Sequence, residues 1–452
     1  MLLFICEMVR NRSEMAPIGD RGSCCFSSSL LQAMTGKKQR SVKGAEHMTV
    51  KEYVDKNLPL SIRKNTEDNG VLIGLPYTYI IPSVADMFQE MYYWDSYFAN
   101  TGLLIRGDVE QAKHNVDNLR YLLDRYTFVL NGNNKGFEYN SQPPFLAKMI
   151  REVYDVTGDK VWLKPCYDSL KKENIFWTEK RNTEFGLNHY DCEPLSEQMV
   201  KNGRRDLAER IGYLPDCTDE EIARGNFSAG ESGWDFNPRM RHETYKYAPA
   251  DLNSLLYIQE HELAQFAGEL GLWDEQKYWN DRKARRAELC RQYLQGQDGV
   301  FYDYHMEKKE RNGIVSAACF YPLYAGMATK EEAEKAVAVL PRIEMTYGVA
   351  ACEKCEYIKG NFQWGYPNGW PPMQRIVAEG LLRYGYVDEA RRIGEKYIAL
   401  VDHCLEITGN LWEKYNVVEG NVKVVDEYKM PAMLGWTFGV YYWFCRLLNR
   451  KL

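Results

Sequence analysis

The sequence predicts an all-α protein whose helical hairpins close into a toroid. Apolar residues recur at three- and four-residue spacing in several long segments, strand-like alternation is scarce, and glycine turns separate successive helices. The distances between these turns are irregular, which disfavours a solenoid of fixed period. A closed ring also buries the terminal faces that a solenoid must cap. Such a ring gathers its connecting loops around a funnel at one end, where a site can form.

The first 47 residues differ from the rest of the chain. They are Ser-rich around SCCFSSSLL and basic at GKKQR, and they show no sustained period. We expect residues 1–47 to be a poorly ordered N-terminal extension and residues 48–452 to form one folded domain.

Five segments within that domain have the apolar period of helices, and four glycine turns mark hairpins. The helical segments are GDVEQAKHNVDNLRYLLDRY, PPFLAKMIREVYDV, ADLNSLLYIQEHELAQFAGEL, EQKYWNDRKARRAELCRQYL and PPMQRIVAEGLLRYGY. The turns are RGDVEQAKHN, TGDKVWLKPC, LGLWDEQKYW and YGYVDEARRI, each with Gly after one helix and an acidic or aromatic start to the next.

Charge and hydropathy exclude several classes of partner. The net charge is −6, the pI is about 5.8, and no basic run is dense, so we expect no nucleic-acid partner. No apolar run approaches the roughly 20 residues that span a bilayer, so no membrane partner is expected. The start, MLLFICEMVRNRSE, has a short apolar stretch without a preceding basic residue and does not read as a signal peptide.

The cysteines and histidines predict neither disulfides nor a metal site. Twelve cysteines are scattered without a spacing framework, which favours reduced thiols and a cytoplasmic location. Cys352 and Cys355 form a single CxxC, and the nearest candidate partners, His403 and Cys404, are distant in sequence. We therefore expect free thiols and no metal or cofactor.

The stretch QWGYPNGWPP, residues 363–372, predicts a rigid aromatic loop. Its prolines and glycines exclude a regular helix or a central strand. Indole and phenol faces beside the amides of Gln363 and Asn368 suit a sugar, which stacks its C–H faces on rings and hydrogen-bonds through its hydroxyls. The chain holds 32 Tyr and 11 Trp, which fits a carbohydrate cleft. A packed connector between helices is the alternative for the loop, and a protein interface is the alternative for the aromatic excess.

Three acidic loops lie among aromatic residues: EMYYWDSYF at 90–98, ESGWDFNPRM at 231–240 and DEYKMPAMLGWTFGV at 426–440. A pair of carboxylates breaks glycosidic bonds, one protonating the leaving oxygen and the other activating water or attacking. Aromatic surroundings desolvate such an acid and raise its pKa. Each acid could instead be solvated or cap a helix; Asp95 could simply pair with a cation.

An ordered set of motifs resembles the trehalase family of inverting glycosidases. The set comprises LPYTYIIP at 75–82, EMYYWDSYF, SQPP at 141–144, ESGWDF, DLNSLLY at 251–257, QWGYPNGWPP, EKYN at 413–416 and the EY…GWTFGV stretch. The resemblance covers residues 75–440 in the family's order. It implies an (α/α)6 barrel over residues 48–452 that hydrolyses α,α-trehalose or a related small α-glucoside, with the active site in loops at one end and no metal or cofactor.

Carried over residue by residue, the resemblance implies that Asp235 is the general acid and Glu427 the general base. The implied sugar contacts are Trp94, Asp95, Asn131, Gln142, Glu231, Arg239, Gln363 and Trp364. Hydrogen bonding within the loops is the alternative for each polar contact.

The chain departs from the family at several sugar-binding positions. PSVADMF at 82–88 lacks the arginine of PGGRF, Asn140 stands where RSQPP has its arginine, and EPLSEQ at 193–198 has no counterpart of RPES. Gly365 and Pro431 replace a family aspartate and glutamine. Two alternatives therefore stay open: a different short α-linked glycoside as substrate, or a non-catalytic sugar-binding relative. The retained acid and base count against the second.

Overall fold

The computed structural model describes residues 48–85, 87–192 and 194–452, so the predicted extension 1–47 lies outside the described residues. Fourteen α-helices form the scaffold of this described part. They are α1 Val50–Ser61, α2 Tyr93–Arg106, α3 Val109–Tyr126, α4 Leu146–Thr157, α5 Lys160–Lys180, α6 Glu197–Ile211, α7 Asp219–Ser232, α8 Ala250–Glu269, α9 Trp273–Tyr293, α10 Tyr321–Ala325, α11 Lys330–Val339, α12 Pro371–Arg383, α13 Val387–Thr408 and α14 Gly435–Leu447.

Six of these helices form a closed inner ring. Helices α2, α4, α8, α10, α12 and α14 each pack on the next, and α14 packs back on α2. Helices α1, α3, α5, α9, α11 and α13 alternate with them along the chain as the outer layer. The five predicted helical segments correspond to α3, α4, α8, α9 and α12. The structure thus confirms the predicted six-hairpin (α/α)6 barrel.

Ring closure depends on two glycines where α2 meets α14. A Cβ at Gly439 would lie 1.9 Å from the carbonyl oxygen of Phe98, and a Cβ at Gly102 would lie 2.2 Å from the ring of Phe438. No larger residue fits either position without moving a helix. The two backbones therefore meet directly where the first and last inner helices close the barrel.

Glycine turns join each inner helix to the outer helix that follows. The four predicted turns contain Gly107, Gly158, Gly271 and Gly385, all with positive φ, as is usual at the C-terminal end of a helix. A fifth, at Gly326 between α10 and α11, was not predicted. These turns lie at the C-terminal end of the inner ring, which leaves the longer loops for its N-terminal end.

Short strands tie those longer loops together. Two-residue strands pair antiparallel as β1 Ile62–Arg63 with β2 Tyr79–Ile80, as β3 Tyr247–Ala248 with β4 Tyr304–His305 and β5 Glu310–Arg311, as β6 Glu344–Met345 with β7 Gly348–Val349, and as β8 Asn368–Gly369 with β9 Tyr415–Asn416. In the last pair Asn368 lies opposite Asn416, so the loops before α12 and α14 are joined directly.

One hairpin, α6–α7, lies outside the six-pair pattern and was not predicted. It is inserted between α5 and α8, and its two helices pack on each other. Its apolar side chains form a small cluster separate from the main core: Leu207, Ile211, Ile222 and Ala229, with Phe236 and Phe362 from the adjoining loops. The hairpin therefore has a core of its own and borders the loop end of the barrel.

Candidate active site

A cavity of about 490 Å³ lies where the inner helices begin. Segments that lead into several of the inner helices contribute to it. Its principal lining residues are Trp94, Asp95, Asn131, Gln142, Arg210, Asp235, Trp364, Trp370, Glu413, Tyr428 and Trp436. Its volume falls in the range of small-molecule sites.

Four tryptophans form one wall of the cavity. The Trp364 and Trp370 rings stack 3.7 Å apart at an interplanar angle of 3°. Trp94 lies 5.6 Å from Trp364, and Trp436 meets Trp370 edge-on at 5.7 Å. The carbonyl of Gln363 accepts a hydrogen bond from the Trp370 indole at 2.9 Å, which fixes the loop. The stretch QWGYPNGWPP is thus a rigid aromatic surface at a cavity.

Asp235 faces the cavity from the loop between α7 and α8. Its backbone has a φ of 42°, a left-handed conformation that is uncommon for a non-glycine residue. Its Oδ2 lies 3.2 Å from Gln363 Nε2 and 3.2 Å from Arg210 Nη2. About a quarter of the side chain, 26%, is exposed. The carboxyl is therefore held from two sides and is still accessible from the cavity.

Glu427 lies behind Arg210 and is not among the residues that line the cavity. Its side chain is fully buried, and its Oε2 accepts from Arg210 Nε at 2.9 Å and lies 2.8 Å from Nη2. Its Oε1 has no hydrogen-bond partner among the described residues. Burial raises the pKa of Glu427 to about 8; Arg210 opposes that rise, and the negative charge of Asp235 adds to it.

Asp235 and Glu427 are close to each other because they share one nitrogen. Arg210 Nη2 is 3.2 Å from the Asp235 oxygen and 2.8 Å from the Glu427 oxygen, so the two oxygens are at most 6.0 Å apart. An inverting pair needs space between its carboxyl groups for the attacking water. Between Asp235 and Glu427, the guanidinium of Arg210 occupies the space where that water would have to lie.

A third carboxyl, Glu413, lines the same cavity as Asp235 and was not predicted as a site residue. Its Oε1 accepts from the Tyr428 hydroxyl at 2.6 Å and its Oε2 from Lys414 Nζ at 2.7 Å. Burial raises the pKa of Glu413, with Lys414 opposing the rise. The signal was present in the sequence, since Glu413 begins the EKYN motif, but spacing could not rank it against Glu427.

Asp95 is a further carboxyl that lines the cavity, and its surroundings favour its neutral form at physiological pH. Burial raises its pKa to about 8, and the nearby charges of Glu413 and Asp235 push it in the same direction. A neutral carboxyl donates as well as accepts hydrogen bonds, which suits a sugar hydroxyl.

Five of the eight predicted sugar contacts line the cavity: Trp94, Asp95, Asn131, Gln142 and Trp364. Asn131 donates to the carbonyls of Ser141 and Gly230, and the oxygen of Gln142 accepts from the backbone of Trp94. Gln363 is buried behind the lining and reaches it only through Asp235.

The structure does not place Glu231 at the cavity surface, contrary to the prediction. Its side chain is fully buried and accepts two hydrogen bonds of 2.8 Å from Arg181. It also accepts from the backbone amides of Ser141 and Asp191. Its oxygens are therefore used in joining loops rather than exposed to a sugar.

Arg239 also lies away from the cavity lining. Its buried guanidinium is 3.1 Å from Asp251 and 2.8 Å from Asp303, and it stacks 4.2 Å from the centre of the Trp234 ring. Both neighbouring acids are buried, so they draw the arginine inward as their counter-ion. The sequence around Asp235 could not reveal these partners of Arg239.

In the part of the chain that the structure describes, no cluster of three or more His, Cys, Asp or Glu side chains is arranged to hold a metal ion. The Cys352 thiol donates to the carbonyl of Trp364 at 3.3 Å, which places this half of the CxxC beneath the aromatic wall. None of the described helices is both long and apolar enough to cross a membrane.

Comparison with known proteins identifies a family. The sequence model of the trehalase family matches residues 31–449. A periplasmic trehalase of Xanthomonas campestris pv. campestris (strain B100) is 30% identical over 416 residues, covering 86% of this chain and 72% of that protein. A periplasmic trehalase of Salmonella schwarzengrund (strain CVM19633) is 31% identical over 417 residues, with coverages of 87% and 72%.

Solved structures agree. Neutral trehalase Nth1 from Saccharomyces cerevisiae superposes with a TM-score of 0.70 at 28% identity, over 82% of this chain and 74% of that one. A GH63 mannosylglycerate hydrolase from Thermus thermophilus superposes with a TM-score of 0.58 at 17% identity, over 82% and 96% of the two chains. The second likeness concerns the fold alone.

The predicted cytoplasmic location is wrong, because these sequence relatives are periplasmic trehalases. The inference rested on scattered cysteines. Seven of the nine described cysteines are buried, so these seven act as small apolar packing residues. Their lack of a disulfide framework therefore says little about the compartment.

The similarity extends over nearly the whole chain and is not confined to a few motifs. The matched residues begin before α1 and continue past the end of α14. Sequence and fold relatives point to the same group of glycoside hydrolases, and the chain belongs to the trehalase family.

Proposed function

We propose that this protein hydrolyses α,α-trehalose with inversion at the cavity, and that residues 48–452 are its catalytic domain. One observation carries the proposal: two carboxyls from different loops, Asp235 and Glu413, face one aromatic cavity. The glucosyl unit stacks on the tryptophan wall, and the neutral carboxyl of Asp95 hydrogen-bonds one of its hydroxyls. The family membership and the names of the relatives support the choice of trehalose.

The proposed reaction is a single displacement. Asp235 gives its proton to the glycosidic oxygen, which leaves with the bonding electrons as a hydroxyl of the departing glucose. Water attacks the anomeric carbon from the opposite face and loses a proton to the base. The products are one β-glucose, from the inverted unit, and one α-glucose, from the leaving unit.

We assign the base to Glu413 rather than to Glu427, the residue that the family resemblance implied. The Glu427 side chain is buried, bound to Arg210 and absent from the cavity lining, so water and sugar have no access to it. The guanidinium of Arg210 also lies between Glu427 and Asp235, where the attacking water would have to lie. Glu413 meets the requirement of access, and Tyr428 and Lys414 hold its carboxyl in place.

The altered arginine pattern leaves a second substrate class open, a different short α-linked glycoside. Arg210 is the one arginine or lysine that lines the cavity in the described residues. Each missing charged hydrogen bond is worth about 1.5–3 kcal/mol, enough to change which sugar is preferred. Purified protein should therefore be assayed on trehalose and on a panel of α-disaccharides, with the first-formed anomers followed by ¹H NMR.

Turnover of trehalose with β-glucose and α-glucose formed in equal initial amounts is the expected result. If only another α-glucoside is hydrolysed, the assigned substrate changes and the proposed mechanism is retained. Initial products that are entirely α exclude inversion, and no turnover of any glycoside favours the sugar-binding alternative.

The two candidate bases are separated by azide rescue. In Glu413→Ala, azide replaces water as a nucleophile that needs no deprotonation, so we expect β-glucosyl azide as product and recovered turnover after a loss of about 10²- to 10⁴-fold. Glu427→Ala is the matched control and is expected to form no azide adduct. An adduct from the Glu427 variant alone would return the role of base to Glu427.

A further inference from the structure

Arg210 links the inserted hairpin to the cavity. It lies in the last turn of α6, a helix outside the six-pair barrel. Its guanidinium carbon lies 4.7 Å from the centre of the Phe236 ring, which packs with Leu207 and Ile211 in the hairpin's own core. Packing of the hairpin therefore determines where this charge is held.

One edge of the Arg210 guanidinium contacts the carboxyls of both Glu427 and Asp235. Nε and Nη2 hold Glu427 at 2.9 and 2.8 Å, and Nη2 also lies 3.2 Å from Asp235. The Glu427 carboxyl is buried and accepts from both nitrogens, so Glu427 and Arg210 hold each other in place. Asp235, by contrast, is part-exposed and able to face a sugar.

Physical chemistry explains why a guanidinium is needed at this point. The Asp235 and Glu427 oxygens that contact Nη2 lie within 6.0 Å of each other, and one guanidinium between them can donate to both. A planar guanidinium also fixes the direction of its partners, whereas a lysine ammonium acts as a point charge. The left-handed backbone at Asp235 adds a second constraint on the same carboxyl.

We propose that Arg210 is a positioning residue for the hydrolysis: anchored by Glu427, its guanidinium aims the carboxyl of Asp235 at the glycosidic oxygen. The inference rests on the proposed function, since it assumes that Asp235 protonates a leaving group. It gives Glu427 a role other than base, and it makes the hairpin α6–α7 part of the catalytic apparatus.

The leaving group provides the test. Trehalose needs a proton on its leaving oxygen, whereas fluoride departs from α-glucosyl fluoride with little assistance. Arg210→Gln is expected to lose about 100-fold in kcat on trehalose, the usual consequence of a small misplacement of a reacting group, and less than about tenfold on the fluoride. Arg210→Lys keeps the charge without the fork and is expected to show the same selective loss. Arg205→Ala, an exposed arginine of the same helix, is the matched control and should behave as wild type.

Two further measurements separate positioning from simple stability. Guanidinium ion added to Arg210→Ala is expected to restore part of the trehalose activity, and Glu427→Gln is expected to reproduce the selective loss with Arg210 intact. Equal losses on both substrates, in variants whose circular dichroism matches wild type, would overturn the proposal. If the Arg210 variants fail to fold, the Glu427→Gln result decides alone. Failure of wild type to hydrolyse either substrate would refute the proposed function itself, a different outcome.

Discussion

Replacing Gly439 with alanine tests whether ring closure determines the shape of the cavity. The added Cβ would lie 1.9 Å from the Phe98 carbonyl oxygen and 2.7 Å from its carbon. Real contacts of a Cβ do not fall below 3.0 Å, so α14 and α2 have to separate by at least about 1.1 Å. Alanine favours a helix by about 0.5–1 kcal/mol over glycine, whereas overpacking costs about 1–3 kcal/mol. The net effect of the substitution should therefore be destabilising.

The expected shifts follow from the size of the domain. An unfolding entropy of about 2.1 cal/mol/K per residue gives roughly 0.85 kcal/mol/K for residues 48–452, so a cost of about 1–3 kcal/mol lowers Tm by roughly 1–4 °C. Trp94 of α2 and Trp436 of α14 lie 5.9 Å apart in the cavity wall, and the separation should widen that gap. A displacement of about 1 Å costs up to about 100-fold in kcat/KM.

Differential scanning calorimetry and trehalose kinetics are the two assays. Gly158→Ala is the matched control: its φ of 62° strains an alanine, but no atom lies within 4 Å of the new Cβ, and the turn is at the opposite end of the barrel. It should lower Tm and leave kcat/KM unchanged. Wild-type Tm and kcat/KM in Gly439→Ala, or an equal loss of activity in the control, would refute the reasoning.

Two other predictions concern the cavity walls. Asp95 has a folded-state pKa of about 8, above its unfolded value near 4, so the folded state binds more protons between these pH values and stability falls as pH rises through them. Asp95→Asn should therefore flatten the dependence of Tm on pH between about 4 and 8, and an unchanged slope would contradict the burial argument. Trp364→Ala removes the partner stacked on Trp370 and should lower the free energy of unfolding by about 3–5 kcal/mol in urea titrations while raising KM for the sugar; a rise in KM without lost stability would mean that the wall repacks.

Local signals were sufficient for the fold. Turns such as that at Gly107 combine a left-handed glycine with a helix start, and both features are properties of a few consecutive residues. The aromatic loop 363–372 was recognisable for the same reason, since proline and glycine limit the backbone wherever they occur. The short helix α10 and the hairpin α6–α7 were not predicted, because their apolar periodicity is brief or interrupted by charges.

The sequence by itself determined four of the hairpin turns, the aromatic loop and the family. The tertiary structure alone decided that Glu413 faces the cavity while Glu427 lies behind Arg210, and that Glu231 and Arg239 are used in buried ion pairs. A motif identifies which residue types are present, but access to a cavity depends on what packs over each side chain. That packing comes from segments far apart in the chain, brought together when α14 closes on α2, and no local pattern records it.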